Sequence, residues 1–150
     1  MDALTIAKYF LYKANQEGDL ITNLKMQKLL YYAQAWYLVN FGRTLFDDQI
    51  LAWDLGPVIK NVYNKFKKFR HTPILFDDDC KEILKKFKKE DLRFLDEFYD
   101  QFIEYSAHDL VNMSHNEEPW KKAHKTASKI IDPDMMKIFY TKLYEKSSKK

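Results

Sequence analysis

The chain has 150 residues, 46% hydrophobic and 16% aromatic, enough for one domain with a core of Phe and Tyr and too apolar to stay disordered. Its formal charge of +3 is modest, and a single cysteine, Cys80, excludes an internal disulfide and a cysteine-based zinc site. With no leader-like segment and no bilayer-length apolar run, the expected compartment is the cytoplasm; one domain over 1–144 and a frayed basic tail over 145–150 complete the expected organisation.

Asp2 predicts the N-cap of a first helix, with Ala3, Ala7, Phe10 and Ala14 on one stripe and Gly18 closing it. Thr22 predicts the cap of a second helix that runs to Gly42. Across residues 29–39 of that helix the only clearly polar side chain is Gln34. A helix with so little polar face is expected to be wrapped by others, and it is too short and tyrosine-rich to span a bilayer, which needs roughly 20 apolar residues. The Gln34 amide then needs partners, since leaving it unpaired costs roughly 1–3 kcal/mol. A neighbouring backbone or a tyrosine hydroxyl would serve, and a polar cluster with His115 or the Trp53 loop is the sharper alternative.

Residues 43–56 are the least helical part. Ile50, Leu51, Ala52 and Trp53 read as an extended run that could pair with residues 73–76, a small hairpin-like element near 44–54 and 73–76. Trp53, Gly56 and Pro57 are expected to form a corner, with Trp53 packed near Trp36 and Pro57 at the first position of a third helix. That helix would bury Val58, Ile59, Val62, Tyr63, Phe66 and Phe69. Lys60, Lys65, Lys67, Lys68 and Arg70 lie along it with no acid between them. Cations interleaved with aromatics suit single-stranded nucleic acid, but aromatics at helical spacing face a core and leave the cations solvated.

Asp77, Asp78 and Asp79 precede an amphipathic pattern of Cys80, Ile83, Leu84 and Phe87, and a further helix is expected from Leu92 to Ile103. From Glu90 to Asp109 seven acids face one arginine. Ser106 and Asp109 form a capping box, and residues 116–119 end the short helix it opens. Pro119 starts another, with Trp120, Ala123 and Ala127 inward. Asp132 and Pro133 open the last, with Met135, Ile138, Phe139 and Leu143 on its buried side.

The residues that carry chemistry do not converge. His71, His108, His115 and His124 show no pair at metal-ligand spacing, and His115 with Glu118 reads better as a helix-end histidine able to donate to a free carbonyl. The three aspartates lack the glycine and terminal glutamate of a calcium loop, the glycines are isolated, and Cys80 reads as a small core residue. No cofactor, no metal and no catalytic set is expected, and a small hydrolase would have no nucleophile and base to name.

Three blocks coincide in order and spacing. They are residues 24–34 (LKMQKLLYYAQ); Leu45, Phe46, Ile50, Ala52, Trp53, Gly56, Pro57 and Val58 with Val62 and Tyr63; and Ser114, His115, Pro119, Trp120 and Ala123. Together they resemble the Panacea antitoxin domain, the family of SocA-like antitoxins and GepA-like phage-associated proteins, over residues 3–127. Ser114 stands where the family more often shows threonine. The resemblance implies a non-catalytic antitoxin that neutralises a toxin encoded beside it by direct contact, in one branch also delivering the toxin to a protease. On that reading Lys25, Gln27, Lys28, His115 and Trp120 would line the partner-binding surface, while Gln34, Trp36, Trp53, Gly56, Pro57, Tyr63 and Pro119 would hold the scaffold. The alternative from another class is a nucleic-acid-binding regulator acting through segment 60–71, although no helix-turn-helix is visible.

Overall fold

The computed structural model describes residues 1–148. Helix α1 (Ala3–Glu17) starts where the Asp2 carboxylate accepts the Thr5 N–H and ends at Gly18, whose φ of +76° lets its N–H reach the Ala14 carbonyl. Helix α2 (Asn23–Phe41) is capped by Thr22, whose hydroxyl accepts the Lys25 N–H at 3.2 Å, and is closed by Gly42. Every residue from 26 to 35 is buried, so the nearly featureless apolar run does form the centre of the domain.

The β element differs from expectation. Strands β1 (Leu51–Trp53) and β2 (Gly56–Val58) pair antiparallel, with Trp53 opposite Gly56, across a two-residue connection. Residues 73–76 instead lie against the loop before α2, where Pro73 bridges Thr22 and the Ile74 N–H donates to the Ile21 carbonyl at 2.9 Å. Closing two residues costs less chain entropy than closing twenty, and that favours the local partner. Pro57 therefore sits in a strand rather than at a helix start, and α3 (Lys60–Phe66) begins three residues later, followed by a 3-10 turn at Lys67–Phe69. Bonds from the Ala52 N–H to the Lys129 carbonyl and from the Ile131 N–H to the Ile50 carbonyl occupy β1's other edge.

The run after the aspartates makes only one turn, α4 (Lys81–Leu84), rather than the longer helix expected. The Asp78 and Asp79 carboxylates accept the N–H groups of Cys80 and Lys81, an alternative to helical pairing, and buried Cys80 sits at φ +59°. Helices α5 (Lys89–Phe102) and α6 (Ala107–His115) follow, the latter opened by the expected capping box with both bonds made. Helix α7 (Glu118–His124) carries Pro119 in its first turn; Ala127 lies beyond its end and is exposed.

Helix α8 (Pro133–Ser148) buries Met136 and Tyr140, not the expected face: Met135 and Phe139 are half-buried, and Ile138 and Leu143 are exposed. The difference is one position of rotation. Tyr140 looks polar in sequence, yet its ring packs in the core because its hydroxyl finds partners there. The helix continues into the 145–150 segment as far as Ser148; Lys149 and Lys150 lie outside the described residues.

Helices α1, α3, α5, α6 and α8 and strand β2 all pack against α2. The expected packing of Trp53 near Trp36 also changes. Trp53 meets Tyr63 edge-on at 5.1 Å, while Trp36 packs on Tyr140 at 5.8 Å. The hairpin docks on the first turns of α2, and Trp36 lies eight residues on from Lys28, about 12 Å along the axis. Among the described residues no helix is long and apolar enough to cross a membrane.

Candidate partner-binding site at the hairpin corner

Three polar side chains in the first turns of α2 face the hairpin and are buried there: Asn23, Gln27 and Lys28. Asn23 donates to the Tyr63 carbonyl at 3.1 Å. Gln27 donates to the Asn23 side chain at 2.8 Å and accepts the Ile59 N–H at 2.9 Å. Lys28 donates to the Pro57 carbonyl at 3.0 Å. Apart from the Gln27–Asn23 bond, which stays within α2, these bonds tie α2 to the backbone of the β2–α3 segment. Burial alone pushes the Lys28 ammonium down to about 7, because no carboxylate compensates its desolvation.

Gly56 makes this approach possible. A Cβ there would lie 2.6 Å from Lys28 Cε and 3.1 Å from Ser114 Oγ, and the residue's φ is +106°. Space and backbone conformation thus both require glycine. Further along, Gln34 donates to the Phe46 carbonyl at 2.9 Å and accepts the N–H groups of Leu45 at 2.7 Å and Phe46 at 3.2 Å. Neighbouring backbone is its partner, not His115 or the Trp53 loop.

The α6–α7 corner closes over the other side of Gly56. Ser114 donates to the Val111 carbonyl at 2.9 Å, and Glu117 turns its carboxylate inward. There it accepts the hydroxyls of Tyr32 at 2.5 Å and Tyr140 at 2.9 Å, and Tyr140 also shares a 2.8 Å bond with Tyr31. Burial raises the Glu117 carboxyl, with the two tyrosine bonds opposing the shift. This network was not read from sequence. Its one signal there was the adjacent pair Tyr31 and Tyr32 inside an otherwise apolar run.

The corner's outward side is aromatic. The Trp120 indole donates to the Trp53 carbonyl at 2.9 Å and so ties the corner to the hairpin. The His115 ring packs against the indole tilted by 32° with centroids 4.2 Å apart, and His124 stacks on it at 4.4 Å. His124 meets Asp54 at 2.9 Å, a bond that lowers the Asp54 carboxyl. The donation from His115 to a helix-end carbonyl is not made: its Nε2 is buried without a partner as the ring lies over Trp120. Leu55, at the hairpin tip, is 61% exposed beside this face.

Of the residues expected at a binding surface, His115 and Trp120 lie on this face. Gln27 and Lys28 belong to the same corner but are buried behind it. Lys25 stands apart, half-buried and donating to the Ile103 carbonyl at 2.7 Å. Along segment 60–71, Phe66 is buried and Tyr63 turns onto Trp53, so the aromatics face inward as expected and the exposed cations have no stacking platform beyond Phe69, which Lys68 covers at 5.3 Å.

Residues 26–121 match the family described as Antitoxin SocA-like, Panacea domain. The matched segment runs from the buried face of α2 through the hairpin to the α6–α7 corner, so it contains both sides of the Gly56 contact. Among curated proteins, the chain is 42% identical over 66 residues to the Antitoxin SocA of Caulobacter vibrioides (strain NA1000 / CB15N), covering 44% of this chain. That alignment spans 35% of the relative, so the chain matches about a third of its length. No solved structure matches.

Proposed function

Because this chain belongs to the SocA-like Panacea domain antitoxin family, we propose that it neutralises a toxin encoded beside it by stoichiometric, non-catalytic binding. The observation that carries this reading is the use made of the family-segment polar groups. Gln27, Lys28, Gln34, Ser114 and Glu117 are all engaged inside the domain, where they fix a shape. A shape so fixed presents a pre-ordered surface, which lowers the ordering cost of association. His115 and Trp120 would touch the partner directly. Gln27 and Lys28 would act from behind by positioning the hairpin, and Lys25 would act at the margin beside α5. Delivery of the bound toxin to a protease would be a second use of the same contact.

Co-expression with the neighbouring gene's product tests the reading. Growth should be restored in proportion to antitoxin supplied, and a complex of defined stoichiometry should co-purify. Rescue at far less than one antitoxin per toxin, without a complex, would favour an enzyme instead.

A further inference from the structure

A buried amine with one acceptor suits the neutral form far better than the charged one. Lys28 is 0% exposed, and the Pro57 carbonyl is the one hydrogen-bond partner of its Nζ among the described residues. A neutral amine there leaves one N–H unused. An ammonium leaves two, together with a charge that no carboxylate compensates.

What covers the amine is the hairpin. The Lys28 stem runs against Gly56, where a Cβ would stand 3.3 Å from Cδ as well as 2.6 Å from Cε. The other cover, Ser114, belongs to α6, which its capping box and helical bonds hold in place. The hairpin is the smaller body, and it is pinned just outside its strands. The Ile131 N–H holds the Ile50 carbonyl at 2.9 Å, and Gln27 holds the Ile59 N–H at 2.9 Å. Residues 51–58 can therefore lift while both pins stay in place.

We propose that the β1–β2 hairpin is a proton-operated latch, closed on α2 while the Lys28 amine is neutral and lifting as a unit when Lys28 takes up a proton. Lifting gives up the bonds of the Ala52 N–H to Lys129, of Trp120 to the Trp53 carbonyl and of His124 to Asp54. It also uncovers the buried Ala52 and Val58 side chains, so the open form is the minor one. Asp54 and Leu55 ride on the tip, and proton uptake would withdraw that part of the corner face. The latch itself does not rest on what the corner binds.

Linkage sets the direction. Closed, the amine titrates at about 7; in water it titrates at 10.5. Between those values each unit of falling pH should favour the open form about tenfold, and below 7 the gain ends because both forms are charged. Burial is the only influence on the Lys28 proton, and the ionisable groups of the surrounding elements are engaged elsewhere. Lys25 of α2 donates to the Ile103 carbonyl, Asp109 of α6 caps its own helix, and His115 lies on Trp120. Glu117 is held by Tyr32 and Tyr140, Asp54 by His124, and Lys60 and Lys65 of α3 are exposed.

Hydrogen exchange followed by NMR on the isolated chain, from about pH 7 to 9, tests the latch. The Ala52 N–H and the Trp120 indole N–H report lifting because both bonds break with it, while the Ala33 N–H in the middle of α2 reports global unfolding. Near pH 7 the two reporters should be protected about tenfold less than Ala33, and their protection should grow about tenfold per pH unit above that. Lys28→Met should hold it constant across the range, and His124→Gln should leave the slope in place. Reporters that exchange in step with Ala33 at every pH would abolish the separate opening. Protection that ignores pH in the wild-type chain, or a slope lost in His124→Gln, would take the latch away from Lys28. The wild-type and His124→Gln measurements decide the matter even where Lys28→Met does not fold.

Discussion

The two ends of α2 invert the usual rule of burial. Its first turns carry Asn23, Gln27 and Lys28, polar groups ordinarily left in water, and all three are buried. Its last turns carry Trp36 and Val39, apolar groups that belong in a core, and they stand half open over a groove. The difference lies in what packs opposite. The backbone from β2 into α3 offers a Pro57 carbonyl, an Ile59 N–H and a Tyr63 carbonyl that match Lys28, Gln27 and Asn23 one for one, whereas α5 and α8 diverge and leave the apolar stripe without a lid. Burial on this helix follows the partner, not the residue type.

The largest expected effect comes from removing a buried amide that holds a remote loop. Gln34→Ala strands the Leu45 and Phe46 N–H groups and the Phe46 carbonyl, and should cost about 4 kcal/mol in urea unfolding. Next is Gly56→Ala, where strain at positive φ and overlap with Lys28 Cε should together cost about 2–4 kcal/mol. Because both effects pass through one contact, Gly56→Ala with Lys28→Ala should be less unstable than the sum of the single changes, a coupling that a double-mutant cycle reads directly. Strict additivity would mean that the hairpin does not rest on Lys28.

A pH series separates the buried cation from its surroundings. The Lys28 amine is held near 7 in the fold against an unfolded value of 10.5, so between those values the unfolded chain binds more protons and stability should rise with pH. The slope is about 1.4 kcal/mol per pH unit at its steepest, and Lys28→Met should abolish it. Glu117 acts in the opposite sense. Its raised carboxyl keeps its proton in the fold above 4.5, so its contribution is full below the unfolded value and is lost as pH climbs through the raised one. Burial pushes Tyr31 and Tyr32 up as well, so above about 10 the unfolded tyrosines ionise first and stability falls again. A profile that stays flat from 7 to 10 in the wild-type chain would remove Lys28 from the buried corner.

The smallest expected stability effect sharpens the comparison from the other end. Tyr144→Glu, at the groove lip, should shift unfolding by no more than about 0.5 kcal/mol. A loss as large as that of Gly56→Ala would make the groove part of the core rather than an open surface.

What could be read in advance follows the range of each interaction. Asp2, Thr22 and Ser106 bond N–H groups three residues away, and the glycines at 18 and 42 close their helices within the last turn, so these boundaries were legible. Pro57 was read as a helix start because a missing N–H suits a first turn as well as a strand, and nothing local decides between them. The α8 face was read one position off because tyrosine counts as polar until its hydroxyl is paired. At the candidate site, the corner opened by Pro119 was legible, but the packing of His115 on Trp120 was not: a helix-end carbonyl three or four residues back is the local partner sequence suggests, and the ring turns to the indole instead. The burial of Lys28 was not, since a lysine is almost never buried without a partner that sequence would reveal.

By itself the sequence determined a mainly helical fold with most of its helix ends, a central helix that must be covered, and the three blocks that mark its family. The tertiary structure decided which side chains those blocks turn inward. Lys28 reaches a carbonyl 29 residues away, Glu117 a tyrosine 85 away, and Tyr31 another tyrosine 109 away. Backbone bonds within a helical turn depend on a few adjacent residues and are written locally. Whether a polar group can leave water depends on a partner that only folding brings near, and whether an apolar stripe is finished depends on how neighbouring helices diverge.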